Sequence, residues 1–370
     1  MTNVTIPKPE PAFNHLTFIE LPLDLPTMIG QELLSSYDIL LVDLYGVIWS
    51  GTYIFPAALD ALGKLMSMGK KVVIVSNISF VSKTVTKEYE SKGLLAGTHF
   101  LDFVTSGNAF RDILVNRKLY FKTVKFPKKY FVYGAENTAA FAGTDFEKTY
   151  NLDESDFVYL SAVQFSDDER DRMSDTMKQY LYVTGTSGND KLWESTSVEP
   201  FIPTLQCFLD RKKPIVIANP DKIVLRAVLE TPDAREYIAK PMVKQGLLAQ
   251  TYENMGGEVF AIGKPYPQIY RHTLENLSMA MEISLENICK KRIAMVGDSL
   301  ETDILGAKNA SKDMGCSIDS ILVLSGISAR DIVKTYGKIS PETVDQFFSQ
   351  EKLTPTHLIP ALDMGSEVYF

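Results

Sequence analysis

The sequence predicts an α/β protein: a parallel-sheet core interrupted by an inserted, second α/β domain. Three observations carry this. Strand-like runs at 39–42, 71–75, 100–105, 259–262, 292–296 and 320–324 alternate with helix-patterned segments, the rhythm of a parallel sheet with right-handed crossovers. Most of these runs end in polar, Gly-flanked turns, and in a parallel sheet all such ends face one crevice, where ligands bind. Residues 108–256 carry a strand–helix alternation of their own, long enough for a separate core.

Residues 1–12 contain Pro7, Pro9 and Pro11 and are expected to be poorly ordered or draped over the surface. Pro22 and Pro26 bracket a further irregular piece, and 27–34 is expected to form a short helix. The stretch Tyr37 to Trp49 organises the rest of the chain. Its apolar run Ile39-Leu40-Leu41-Val42 reads as a strand buried on both faces, closed by Asp43. Gly46 then allows a sharp turn and a close approach to a ligand. Residues 47–55 read as a flap with Ser50 and Gly51 at its turn. Pro56 opens a helix with apolar residues at 58, 59, 62, 65 and 66, and Gly69 stops it.

The strand at 71–75 ends in Ser76-Asn77. A hydroxyl with adjacent backbone N–H groups at a strand end binds phosphate oxygens, and Ser-Asn is also a common turn. A helix comes next, then the strand 100–105, closed by Ser106-Gly107. Within the insert, helices are expected at 108–117, 136–142, 167–181 and 243–254, and strands at 130–133, 156–163 and 214–218. The segment 185–203 is expected to be a long loop, and Pro232 and Pro241 to break up the chain beyond Asn219-Pro220-Asp221. The first pattern resumes with the strand 259–262 and Gly263-Lys264-Pro265, then 292–296 and Gly297-Asp298-Ser299, with Asp303 five residues on from Asp298, then 320–324 and Ser325-Gly326.

Composition excludes several classes. With 370 residues, 45% hydrophobic and 23% charged, the chain has the makeup of a globular protein with room for two domains. A net charge of -8 argues against nucleic acid as a partner, because a phosphate backbone needs a basic footprint. It does not exclude a small phosphorylated ligand, which local amides, one lysine and a metal can hold. Cys207, Cys289 and Cys316 are odd in number and widely spaced, which suggests neither a disulfide framework nor a zinc site and fits a reducing compartment. No membrane-spanning run or basic-then-apolar leader is evident, so a cytoplasmic location with no membrane partner is expected.

Asp43 with Gly46-Val47, then Ser76-Asn77, then Gly263-Lys264-Pro265, then G-D-S-x-x-x-D at 297–303 stand in the order and settings of the four motifs of haloacid dehalogenase-like (HAD) hydrolases. The large insert between the second and third motifs, the N-P-D at 219–221 and the G-K-P resemble the class IIA branch, which contains nucleotide, sugar and pyridoxal phosphate phosphatases. The resemblance implies a Rossmann-like HAD core at 1–107 and 257–370 with a cap at 108–256, and pairing of two copies through the cap. It further implies that Asp43 attacks phosphorus, that Ser76 and Asn77 hold phosphate oxygens, and that Lys264 pairs with both nucleophile and phosphate. Asp298 and Asp303, with Asp43 and the backbone carbonyl at Tyr45, would hold Mg2+. N-capping of the next helix accounts for one of the acids at 298 and 303 but does not by itself call for two. Asn219 and Asp221 are candidates for substrate choice or simply form a turn.

One position departs from the pattern. Phosphatases that this chain resembles usually carry a second Asp, a general acid and base, where this chain has Tyr45. A phenol is a poor base at neutral pH, and loss of acid–base help costs about 10²- to 10⁴-fold in rate. The expected function is therefore a Mg2+-dependent phosphatase of small phosphorylated metabolites, slow or confined to good leaving groups unless the cap supplies an acid. Two alternatives remain at this level: a phospho-ligand-binding regulatory protein with negligible turnover, and a 2-haloacid dehalogenase, for which D-x-Y-G is also suggestive.

Overall fold

The computed structural model describes residues 30–51, 53–134, 137–161, 197–229 and 237–365. In the core, β1 (Ile39–Val42), β2 (Lys71–Ser76) and β3 (Asp102–Thr105) run parallel. The chain then leaves for the insert. There β4 (Lys129–Tyr133), β5 (Glu147–Thr149), β6 (Phe157–Leu160) and β7 (Ile215–Ile217) are followed by an antiparallel ribbon of β8 (Ile223–Leu229) and β9 (Tyr237–Val243). β10 (Val259–Ala261) pairs parallel with β7. Back in the core, β11 (Ile293–Gly297), β12 (Ile318–Val323) and β13 (His357–Ile359) complete a six-stranded sheet of order β13-β12-β11-β1-β2-β3. The insert's own sheet has the order β10-β7-β6-β4-β5.

Strand alternation sorts the core into layers. Ile39 and Leu41 join Val73 and Val75 against the helices Ser106–Val115, Pro267–Ala280 and Leu305–Met314. Leu40 and Val42 join Val72 and Ile74 on the opposite face, against Gly30–Ser36 and Pro56–Ser67. Every β1 side chain is buried, each contributing about 1.5–3 kcal/mol relative to exposure. That burial fixes where β1 ends, and therefore where Asp43 emerges.

The structure changes the expected boundaries in several places. The strand expected to reopen the core at 259–262 belongs to the insert's sheet, so the return to the core comes after β10 rather than at 257. The insert is also not wholly separate. Tyr130, Val132, Phe157 and Tyr159 share one apolar cluster with core strands through the helix Ser106–Val115, whose Phe110 stacks on Tyr159 at 5.1 Å. The other face of the insert sheet packs on the helices Ile202–Asp210 and Gln245–Asn254.

Pro241 does not break the chain; it sits in β9 opposite Leu225, in a two-stranded ribbon whose strands are both edges, where Pro is tolerated. Pro203 stands in the first turn of the helix Ile202–Asp210, where its missing donor costs nothing. The helix expected at 136–142 is only a 3-10 turn, Ala139–Phe141. Helix 167–181, most of the loop 185–203 and the Pro-rich residues 1–12 lie outside the described residues. Cys289 and Cys316 are joined in a disulfide, contrary to the expectation from their spacing. The short helix Leu285–Cys289 and the approach to β12 are neighbours only once β11 is paired between them. No helix among the described residues is long and apolar enough to cross a membrane.

Candidate active site

β1 and β11 are adjacent, with β2-β3 wound to one side and β12-β13 to the other. This reversal opens a crevice at the strands' carboxyl ends, and Asp43 and Asp298 leave those two strands beside each other. The Asp43 N–H donates to the Val296 carbonyl at 2.9 Å, which continues the ladder one residue past β1 and holds the backbone of the acid.

Lys264 arrives from the insert. Its Nζ lies 2.5 Å from Asp43 Oδ1 and 2.7 Å from Asp303 Oδ1, and its side chain is only 1% exposed. Asn77 sets its backbone: Asn77 Oδ1 accepts from the Lys264 N–H at 2.7 Å, and Nδ2 donates to the Lys264 carbonyl at 2.9 Å. The same Nδ2 donates to Asp221 Oδ1 at 2.7 Å. Gly263 is needed here because its φ is +118° and a Cβ would fall 2.6 Å from Asn77 Oδ1.

Asp303 is fully buried, and its Oδ2 accepts from the N–H groups of Asp298 and Ser299 at 3.2 and 3.1 Å. It therefore shapes the turn that presents Asp298 while its other oxygen anchors Lys264. Asp298 Oδ2 accepts from the Ile327 N–H at 2.8 Å. Gly46 and Gly326 leave room for this carboxylate, since a Cβ on either would collide with it. Ser325 Oγ donates to the Gly46 carbonyl at 2.6 Å, tying the turn after β12 to the turn after β1.

Asp43, Asp298 and Asp303 each bring a carboxylate oxygen to within 4.8 Å of the others. Three acids face one ammonium, so the pocket has a deficit of positive charge. Burial, opposed by Lys264 and reinforced by Asp303, pushes the Asp43 carboxyl up to about 7. Burial and the neighbouring Asp303 and Asp43 hold the Asp298 carboxyl well above the usual range. Burial alone would pull the Lys264 ammonium down, but Asp303 and Asp43 outweigh it and keep it protonated. Hard oxygen donors with a charge deficit suit a small divalent cation.

The remaining expected residues divide. Ser76 is buried in the same crevice. Asn77 lies there too, but its side chain is engaged by Lys264 and Asp221. Asn219 Oδ1 accepts from the Asp221 N–H at 3.0 Å, the turn reading of that motif. Asp221 lines the crevice, and burial raises its carboxyl against the opposing bond from Asn77. Tyr45 is 37% exposed and lines the crevice beside Tyr89. Above these groups a cavity of about 980 Å³ extends to insert residues, among them Asn137, Ser161 and Gln245. Single polar residues of this kind carry no motif, so the sequence gives no sign of them.

Comparison with known proteins agrees with this architecture. The family profile described as haloacid dehalogenase-like hydrolase matches residues 40–144, and a second, HAD-hydrolase-like profile matches 261–348. The chain is a haloacid dehalogenase-like hydrolase. The two matched segments carry all four strand-end motifs and flank most of the insert, the arrangement of the class IIA branch. This hydrolase is 26% identical over 320 residues to the chloroplastic phosphoglycolate phosphatase 1A of Arabidopsis thaliana, covering 85% of this chain and 76% of the relative. It is 24% identical over 315 residues to the 4-nitrophenylphosphatase of Schizosaccharomyces pombe, covering 81% and 88%. Its fold matches that of a haloacid dehalogenase-like hydrolase from Brucella suis with a TM-score of 0.58 at 23% identity, covering 84% of this chain and 91% of that one.

Proposed function

We propose that this hydrolase is a Mg2+-dependent phosphatase of small phosphorylated metabolites that works through an aspartyl-phosphate on Asp43. The observation that supports it most is the convergence of Asp43, Lys264, Asp298 and Asp303 in one buried cluster. The phosphatase relatives point the same way.

An Asp43 oxygen forms the bond to phosphorus as the ester P–O bond breaks, and water then hydrolyses the acyl phosphate and frees the carboxylate. Lys264 compensates charge on both the nucleophile and the transferring group, and Asp303 keeps its ammonium aimed there. Ser76 and backbone N–H groups at its strand end bind phosphate oxygens. Asn77 fixes the Lys264 backbone rather than binding phosphate through its side chain. Asp43 and Asp298, backed by Asp303, would hold Mg2+, whose charge favours the ionised nucleophile and offsets repulsion from the phosphate.

Tyr45 brings no carboxyl to the position where related phosphatases carry the general acid. Proton delivery to the leaving oxygen therefore falls to another group or is dispensed with, and Asp221 is a raised carboxyl that lines the crevice outside the acidic cluster. The dehalogenase reading explains less, because a carboxylate substrate would meet three buried acids with a single cation between them.

The test is release of inorganic phosphate from a panel of phosphate monoesters, with and without Mg2+, together with acid-quench trapping of label on Asp43. Metal-dependent turnover that disappears in Asp43→Asn supports the reading. Halide release from 2-haloacids without metal would replace it with the dehalogenase, and phospho-ligand binding without phosphate release would replace it with the regulatory protein.

A further inference from the structure

Lys264 must meet Asp43 of the core, yet its loop leaves β10, a strand of the insert's sheet. The Ile262 N–H still donates to the Ile217 carbonyl of β7 at 2.9 Å, so the insert holds the chain to within two residues of the lysine. A backbone fixed only there would carry the ammonium along with any shift between the two sheets. At a reacting centre a misplacement of about 1 Å can cost about 10²-fold in rate.

Two core residues tie the loop down instead. Asn77, just past β2, engages both backbone groups of Lys264. The second is Asn309, in the helix Leu305–Met314. Its side-chain amide lies 3.1 Å from the Pro265 carbonyl, and a carbonyl only accepts, so Nδ2 is the donor. Earlier in the same segment, Asp303 holds the Lys264 ammonium at 2.7 Å. One stretch of chain, 303–309, therefore grips Lys264 at its charged end and at the residue that follows its backbone.

Helix docking alone does not call for Asn309. The helix Pro267–Ala280 begins just after the loop and meets Leu305–Met314 through other contacts. Gly306 lies against Tyr270, where a Cβ would fall 2.2 Å from the hydroxyl oxygen. That hydroxyl donates to the Asp303 carbonyl at 3.4 Å, and Arg271 pairs with Asp313 at 2.8 Å. These three contacts leave the loop 263–265 untouched, and Asn309 reaches it.

We propose that Asn309 is a positioning residue for Lys264: through the Pro265 carbonyl it registers the loop on the segment that carries Asp303, so that the ammonium keeps its place beside Asp43 independently of the insert. Asn77 pins the loop to β2 and Asn309 pins it to a helix, so loss of either leaves the loop free to tilt about the other. The part this plays in catalysis rests on the phosphatase reading; the hold on Lys264 does not.

Asn309→Ala removes the donor, and alanine is the stronger helix former, so the helix itself is not weakened. Asp313→Ala, which removes the surface pair between the same two helices, is the control for docking. Release of phosphate from 4-nitrophenyl phosphate is measured well below the melting temperature of either variant. Asn309→Ala is expected to lose about tenfold in kcat with KM within about twofold of the parent, and Asp313→Ala to keep both. The Lys264 ammonium resonance of isotopically labelled protein, held between two buried carboxylates, is expected to shift and broaden in Asn309→Ala alone. An unmoved resonance in Asn309→Ala would overturn the inference whatever the turnover, and so would an equal loss of kcat in both variants. A resonance that moves when the parent releases no phosphate would keep the hold on Lys264 and sink the phosphatase reading.

Discussion

Replacing Lys264 with Met removes the cation that, among the described residues, pairs with the acidic cluster, while keeping an unbranched stem in a site that is 1% exposed. Two ion pairs disappear, at 2.5 and 2.7 Å, each with a buried carboxylate. Breaking a buried pair from one side costs about 3–5 kcal/mol, because the remaining charge is left uncompensated. For a chain of this size that corresponds to a fall in Tm of about 4–6 °C.

The sign of its pH dependence follows from the carboxyls. Asp43 and Asp298 already sit above their usual range in the folded protein, and loss of the ammonium moves them further up. The folded state then binds more protons than the unfolded state between the unfolded value, about 3.9, and the folded one. Stability of the variant therefore falls as pH rises through that window, and its deficit against the parent is larger at pH 8 than at pH 5. Thermal unfolding at both pH values, followed by circular dichroism in chelator, measures this. Phosphate release is expected to drop by at least about 10²- to 10³-fold. A variant melting within about 2 °C of the parent at pH 8 and retaining a tenth of its turnover would refute the electrostatic account of the cluster.

Mg2+ binding at pH 7 is expected to release protons, since burial holds Asp43 and Asp298 high and a cation lowers both; calorimetry in buffers of different ionisation enthalpy reads this, and no release would count against the cluster as the metal site. At about one hundred times its Kd the ion is expected to stabilise the fold by about 2.7 kcal/mol, seen as a rise in Tm. Asn77→Ala strips partners from the Lys264 backbone and from Asp221, so a loss of about 2–4 kcal/mol on urea unfolding and a lower kcat are expected, with KM less affected. Tyr45→Asp is expected to speed turnover of poor leaving groups by up to about 10²- to 10⁴-fold while changing 4-nitrophenyl phosphate little. Equal effects on both substrates would argue against proton delivery as the limiting step.

Much of the site is legible in the chain. Asp43, Ser76 and Asp298 stand out because each closes or follows a buried strand of the core sheet, whose parallel strands deliver their carboxyl ends to one crevice, whereas Lys264 follows β10 of the insert's sheet. Asp303 is visible as an acid, but its double task, anchoring Lys264 and accepting from two backbone N–H groups, emerges only in three dimensions. Asn77 reads in sequence as a phosphate ligand and is in the fold a clamp on the third motif, a role that depends on a partner 187 residues away. Asn137, Ser161 and Gln245 leave no trace at all, because isolated polar residues have no period and no spacing.

The amino-acid order alone marks the buried core strands and the residue types that cap them, because burial periodicity and turn chemistry act over a few neighbouring residues; β5, β8, β9 and β13 carry no such signal. It also separates insert from core through the repeat of the strand–helix rhythm. Only the tertiary structure decides that β10 joins the insert's sheet, that Cys289 meets Cys316, and that Asn77 clamps the Lys264 backbone. Those outcomes depend on which distant strands pair and in what register, and nothing within a few residues of each position carries that information.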